Sequence, residues 1–111
     1  MSKEQNVLTL SNNRPQVKVD LLKSKKAALV LRAMNHKLRQ QILKLIDENK
    51  KMIVSDVYGK LRLEQSVASQ HLAILRRAGL VTTVRDGKFI YYSVSYANCA
   101  EVVKFVAELV K

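Results

Sequence analysis

The chain is 111 residues long and 48% hydrophobic, and its 20 Lys and Arg against 9 Asp and Glu give a formal net charge of +11. Such a length buries roughly two thirds of the unfolded surface, enough for one domain around one modest core and too little for a second. The charge requires an acidic partner, either nucleic acid or an anionic membrane surface, while the absence of any run of about 18 apolar residues excludes a membrane span.

Residues 1–16 mix polar side chains with Pro15 and hold no sustained helical period, so they are expected to form a flexible or loosely attached arm ahead of a domain over 17–111. From Val17 to about Met34, Val19, Leu22, Leu29, Val30 and Ala33 fall roughly at helical spacing, interrupted by Lys23, Lys25 and Lys26, which predicts a first helix. Asn35 is a candidate cap for a second helix whose apolar face carries Leu38, Ile42, Leu45 and Ile46 and which ends in the polar run 47–51. Ser55 is a candidate cap for a short third helix over Asp56 to Lys60 or Leu61.

A fourth helix begins at Glu64, Gln65 and Ser66. Ala68, Leu72 and Leu75, four and three residues apart, form its core-facing stripe. Ser66, Ser69, Gln70 and Ala73 lie off that stripe, and short hydroxyl and amide side chains there approach base edges closely and both donate and accept hydrogen bonds. The same polarity also suits any solvated helix face. Arg76 and Arg77 precede the stop signal Gly79, where cations favour the negative end of the helix dipole as well as a nearby phosphate.

Two β-prone runs follow, Leu80 to Val84 and Phe89 to Val94, around Arg85-Asp86-Gly87-Lys88. Asp-Gly between such runs signals a hairpin, here read as a type I′ turn with Asp86 and Gly87 as the positive-φ pair. Arg85 and Lys88 then sit at the tip, either as a solvated turn or, beside a recognition helix, as phosphate contacts. The last helix runs from about Tyr96, with Cys99, Val102, Val103, Val106, Leu109 and Val110 on a wide apolar face.

The first and last helices are both amphipathic, and neither is needed to complete three core helices and a wing. Packing between them, extended into a twofold homodimer through Leu22, Leu29, Val102, Val103, Val106 and Leu109, is the expected use of those faces; packing within one subunit is the alternative. A twofold dimer presents two recognition helices to a pseudo-palindromic operator with half-sites about one helical turn, or a multiple of it, apart.

Three ordered motifs carry a resemblance. Leu31-Arg32-Ala33-Met34-Asn35-His36-Lys37-Leu38-Arg39 leads into Ile42-Leu43. Ser66-Val67-Ala68-Ser69-Gln70-His71-Leu72 leads through Leu75-Arg76 to Ala78-Gly79-Leu80-Val81, and Gly87-Lys88 is followed by Tyr91-Tyr92. Over about residues 19–110 the chain resembles the ArsR/SmtB family of bacterial winged-helix repressors. The resemblance implies a mainly α fold with a small β-hairpin, a winged helix-turn-helix in the order α-α-α-α-β-β-α, dimerised through its first and last helices. It also implies a recognition helix over Gln65–Arg77, with Ser66, Ser69, Gln70 and His71 as DNA contacts; His71 has packing at the helix base or a phosphate bond as its alternatives.

The chain departs from that family at its sensors. Where many members hold a Cys-x-Cys-Asp metal site, Ile53-Val54-Ser55-Asp56 stands, and the second site's Asp and His ligands are matched by Tyr96, Asn98 and Leu109. With Cys99 as the single cysteine, no paired-thiol switch and no internal disulfide is available, and the thiol reads as packing unless it pairs between subunits. Glu64 replaces a polar capping residue, and its carboxylate suits the helix dipole only if it points away from DNA. No nucleophile–base arrangement or phosphate-cradling Gly-rich loop is present among 3 glycines.

The expectation is therefore a non-enzymatic, cytoplasmic homodimeric regulator of transcription that binds double-stranded DNA, with no cofactor, no metal and no membrane partner. Its DNA contacts are Ser66, Ser69, Gln70, His71, Arg76, Arg77, Arg85 and Lys88, and its effector is unassigned. The alternative is a winged-helix protein-interaction module or a sequence-blind nucleoid-type binder, which charge alone supports.

Overall fold

The computed structural model describes residues 6–11 and 16–111, so residues 1–5 and 12–15 of the expected arm lie outside the described residues. The order is β1 (Val7–Leu10), β2 (Val17–Asp20), α1 (Leu21–Met34), α2 (Lys37–Asn49), α3 (Val54–Leu61), α4 (Gln65–Arg77), β3 (Val81–Asp86), β4 (Phe89–Val94) and α5 (Tyr96–Leu109). The winged helix-turn-helix expected from the sequence is therefore present, preceded by one further hairpin in which β1 and β2 pair antiparallel from Val7↔Asp20 to Leu10↔Val17.

That hairpin corrects the start of the first helix. Val17-Lys18-Val19-Asp20 alternates with period two, and the helix begins only after Asp20, whose Oδ1 accepts from the backbone N–H of Lys23 at 3.0 Å. Two other expected caps differ. Asn35 closes α1, its N–H donating to the Leu31 carbonyl at 2.8 Å, and His36 stands at the N-terminus of α2. Ser55 lies inside α3, which starts from Ile53 without a side-chain cap.

The core sits where α2, α3 and α4 meet the base of the wing. Ile42, Ile46, Val57, Leu72, Leu75, Leu80 and Val81 are its fully buried large side chains, and Ala33 brings the end of α1 into it. Each such burial contributes about 1.5–3 kcal/mol. The loop after α2 extends the wing by a bridge, Met52 N–H to Tyr92 O at 3.0 Å and Tyr92 N–H to Met52 O at 2.8 Å, so the hairpin is anchored to the helical body.

α5 is placed by its N-terminus. Ser95 caps it, Tyr96 OH donates to the Asp47 carboxylate of α2, and Asn98 Nδ2 donates to the Gly79 carbonyl at 2.7 Å. Beyond Val102, which packs against the core, its apolar side chains face solvent. An open groove of about 420 Å³, lined by Ala27, Val30 and Leu31 of α1 and Glu101, Val102 and Phe105 of α5, runs between the first and last helices.

Candidate nucleic-acid interface

The recognition helix has the bounds read from the sequence, Gln65–Arg77, for reasons visible at both ends. At its start, Arg62 adopts the left-handed conformation (φ +55°), turning the chain sharply between α3 and α4. At its end, Gly79 takes φ +76°, with Gly79 N–H bonded to Arg76 O at 2.9 Å and Leu80 N–H to Leu75 O at 3.0 Å, a Schellman closure. A Cβ at Gly79 would stand 3.1 Å from Asn98 Nδ2, so both conformation and space favour glycine there.

Ala68, Leu72 and Leu75 are buried against α2 and α3, which fixes the rotation of α4 about its axis. Ser66, Ser69, Gln70, Ala73, Arg76 and Arg77 lie together on the opposite side, all exposed. At about 1.5 Å per residue they form a strip roughly 16 Å long, polar and small at its start and cationic at its end. The side chains of Ser66, Ser69 and Gln70 make no hydrogen bond within the described chain and are free to meet a ligand.

His71 does not share that strip. Five residues beyond Ser66, it is turned about 140° around the axis and faces the body of the protein, half-buried. Its Nδ1 lies 3.3 Å from Nη1 of Arg39, and its ring centroid is 5.0 Å from that of His36. Burial, then His36, then Arg39 hold its pKa below the ordinary histidine value. The resemblance implies His71 as a DNA contact, with packing at the helix base or a phosphate bond as alternatives; its side chain meets α2, as in the packing alternative.

The wing brings Arg85 and Lys88 to its tip, both exposed. The register Asp86↔Phe89 leaves Gly87 and Lys88 as the central residues, not Asp86 and Gly87, and of the tip residues only Gly87 has a positive φ, +62°. This is the type II′ pattern rather than the expected I′, because Gly alone supplies the one left-handed position required. Arg85 Nε donates to the Gly87 carbonyl at 3.1 Å, which holds its guanidinium at the turn. Lys88 Nζ lies 5.6 Å from the Phe89 ring centroid, and Lys51 Nζ, from the loop after α2, lies 4.6 Å from that of Tyr91.

Lys51, Lys60 and Arg62, near the wing and the α3–α4 turn, were not singled out in the sequence. Their signal was present only as basic residues next to predicted helix ends; what gives them weight is that the Met52–Tyr92 bridge brings Lys51 beside the wing and the Arg62 turn leads into α4. Among the described residues no group of three His, Cys, Asp or Glu side chains comes together. No helix among them is long and apolar enough to cross a membrane.

A family profile described as the bacterial regulatory protein, arsR family, matches residues 36–83, from the start of α2 into β3. The transcriptional activator HlyU of Vibrio cholerae is 36% identical over 86 residues, which cover 78% of this chain and 79% of that protein. The structure is similar to that of NolR from Sinorhizobium fredii, with a TM-score of 0.67 and 32% identity over 91% of this chain and 97% of the other. It is likewise similar to the transcriptional repressor PagR of Bacillus anthracis, with a TM-score of 0.62 and 28% identity over 77% of this chain and 97% of the other. HlyU and PagR are regulators of transcription rather than enzymes, and with the helix-turn-helix and wing in the arrangement described, the chain belongs to the ArsR family of DNA-binding transcriptional regulators.

Proposed function

We propose that the protein is a homodimeric repressor that binds a pseudo-palindromic double-stranded operator. Ser66, Ser69 and Gln70 read base edges in the major groove, while Arg76, Arg77, Arg85 and Lys88 hold phosphates. The observation that carries this reading is the outward face of α4, where three small polar side chains without intramolecular partners are followed by two arginines, beside a wing tipped with two more cations. His71 is excluded from the base contacts in this proposal, since its ring is engaged by Arg39.

Dimerisation is proposed through α1 and α5. Leu22 and Leu29 on the first helix and Val103, Val106 and Leu109 on the last are exposed, with Val103 67% and Leu109 66% accessible, and Val102 packs beneath them. Apolar faces of this extent on two adjacent helices are unfavourable in water and suit a self-complementary partner. Repression follows from occupancy of a promoter by two recognition helices, and regulation runs through neither of the family's usual metal sites, where Ile53 and Ser55 stand at the thiolate positions of the first and Tyr96, Asn98 and Leu109 at the second. The protein is proposed to act in the bacterial cytoplasm.

Sequencing of genomic fragments retained by the protein at moderate salt tests this reading. Enrichment of one inverted repeat is expected; uniform, salt-sensitive retention would replace the repressor with a sequence-blind binder, and no retention would favour a protein partner.

A further inference from the structure

Arg39 is the one buried charged residue among those described, 9% accessible, and no carboxylate accompanies it. Its guanidinium instead donates from Nε to the Ala33 carbonyl at 2.9 Å and from Nη2 to the Arg32 carbonyl at 3.0 Å. These are last-turn carbonyls of α1 left without helical partners, at the negative end of the helix dipole, which is why a buried cation is tolerated without an acidic partner. Gln40 Nε2 completes the closure by donating to the Met34 carbonyl at 2.9 Å.

The remaining arm of the guanidinium, Nη1, reaches across to His71 Nδ1 on the recognition helix at 3.3 Å. Arginine has donors only, so Nδ1 must be the acceptor and the neutral imidazole must carry its proton on Nε2. A protonated His71 would set N–H against N–H and one cation against another. The charged and titratable groups that act on His71 are His36 from the α1–α2 junction and Arg39 from α2. His36 adds no compensation: its Nδ1 is buried without a hydrogen-bond partner and its ring stands 5.0 Å from that of His71.

We propose that Arg39 and neutral His71 form a strut that sets the recognition helix against the end of α1, and that protonation of His71 releases it, lowering affinity for the operator. Both are positioning residues, acting through α4 rather than on DNA. The inference deepens the operator-binding reading and rests on it. The chain holds only 2 histidines, and both lie in this cluster, so substituting each in turn tests whether a pH response belongs to His71.

The test uses the full chain, its selected operator and a random duplex of equal length, titrated at constant ionic strength from about pH 8 to about pH 5.5, with circular dichroism confirming the fold at each point. Operator affinity is expected to fall about tenfold over that range, while affinity for the random duplex holds or rises because protonation of His71 adds to the net positive charge of the protein. Histidine-to-glutamine exchange at position 71 keeps an acceptor for Arg39 but removes titration: His71→Gln flattens the operator profile, and His36→Gln leaves it sloped. Arg39→Lys, which cannot reach two carbonyls and the imidazole at once, weakens operator binding about tenfold at pH 8 and leaves random-duplex binding unchanged. An operator profile that is flat or rises on acidification, a slope that survives His71→Gln, or one abolished by His36→Gln overturns the strut while the operator reading stands. Equal binding to operator and random duplex at every pH overturns both.

Discussion

Replacing Gln70 by Ala isolates the base-reading role of α4. The side chain is exposed, makes no hydrogen bond within the described chain, and sits mid-helix, where Ala is the better helix former by a few tenths of a kcal/mol. The folded state therefore loses nothing, and any weakening of binding belongs to the complex. A good amide–base contact contributes about 1–3 kcal/mol of discrimination, about 5- to 150-fold in Kd, and a dimer carrying Gln70 in both half-sites doubles the free-energy loss if the sites are independent. Because a neutral amide displaces no counterions, affinity for random DNA and the salt slope stay constant. Fluorescence anisotropy on operator and random duplexes, with a thermal melt of the free protein, measures all three quantities. Equal weakening on both duplexes, or an unchanged operator Kd, would refute the placement of Gln70 at a base edge.

Other residues are open to similarly direct checks. Arg85→Ala at the wing tip is expected to weaken operator and random DNA alike and to reduce the slope of log K against log salt by about 0.9 for each phosphate that the guanidinium neutralises; an unchanged slope would remove Arg85 from the DNA backbone. Gly79→Ala forces an L-residue to φ +76° and sets its Cβ against Asn98, so a loss of about 1–2 kcal/mol in urea-unfolding free energy is expected, and a neutral result would refute the tight α4–β3 turn. Val103→Glu places charge on the exposed face of α5 and should yield folded monomer in sedimentation equilibrium at concentrations where the parent is dimeric; an unaltered mass would move the interface elsewhere. Stability should also depend on pH through His71. Its folded pKa lies below the unfolded value of 6.5, so the unfolded chain takes the proton more readily. The stabilisation is complete above 6.5 and is lost as pH falls through the lower, folded value, giving a Tm that drops on mild acidification and drops less in His71→Gln.

The legible parts of the sequence were those where local signals agree. α4 was bounded at both ends because its Ala68-Leu72-Leu75 stripe, terminal arginines and Gly79 all mark the same segment, and β4 because Phe89 to Val94 is uniformly β-prone. The start of α1 is ambiguous in the sequence because Val19 fits both a helical face and a strand alternation, and the deciding cap, Asp20, lies within the apolar pattern. The wing turn differs by one residue from the sequence expectation because Asp-Gly and Gly-Lys are both acceptable central pairs; register across the strands, a non-local property, selects the second. The largest gap was at His71. The family resemblance implies it as a DNA contact with packing left open, and the choice between them depends on Arg39, 32 residues earlier, and on helix rotation set by the core. The same holds for Lys51, brought beside Tyr91 by a bridge no local pattern announces.

The central claim is that α4 reads sequence rather than charge, and the ratio of random-duplex to operator Kd at physiological salt measures that most directly. With two recognition helices on an inverted repeat, a ratio of about 10³ or more is expected. A ratio near one, with both affinities falling in parallel as salt rises, would contradict it.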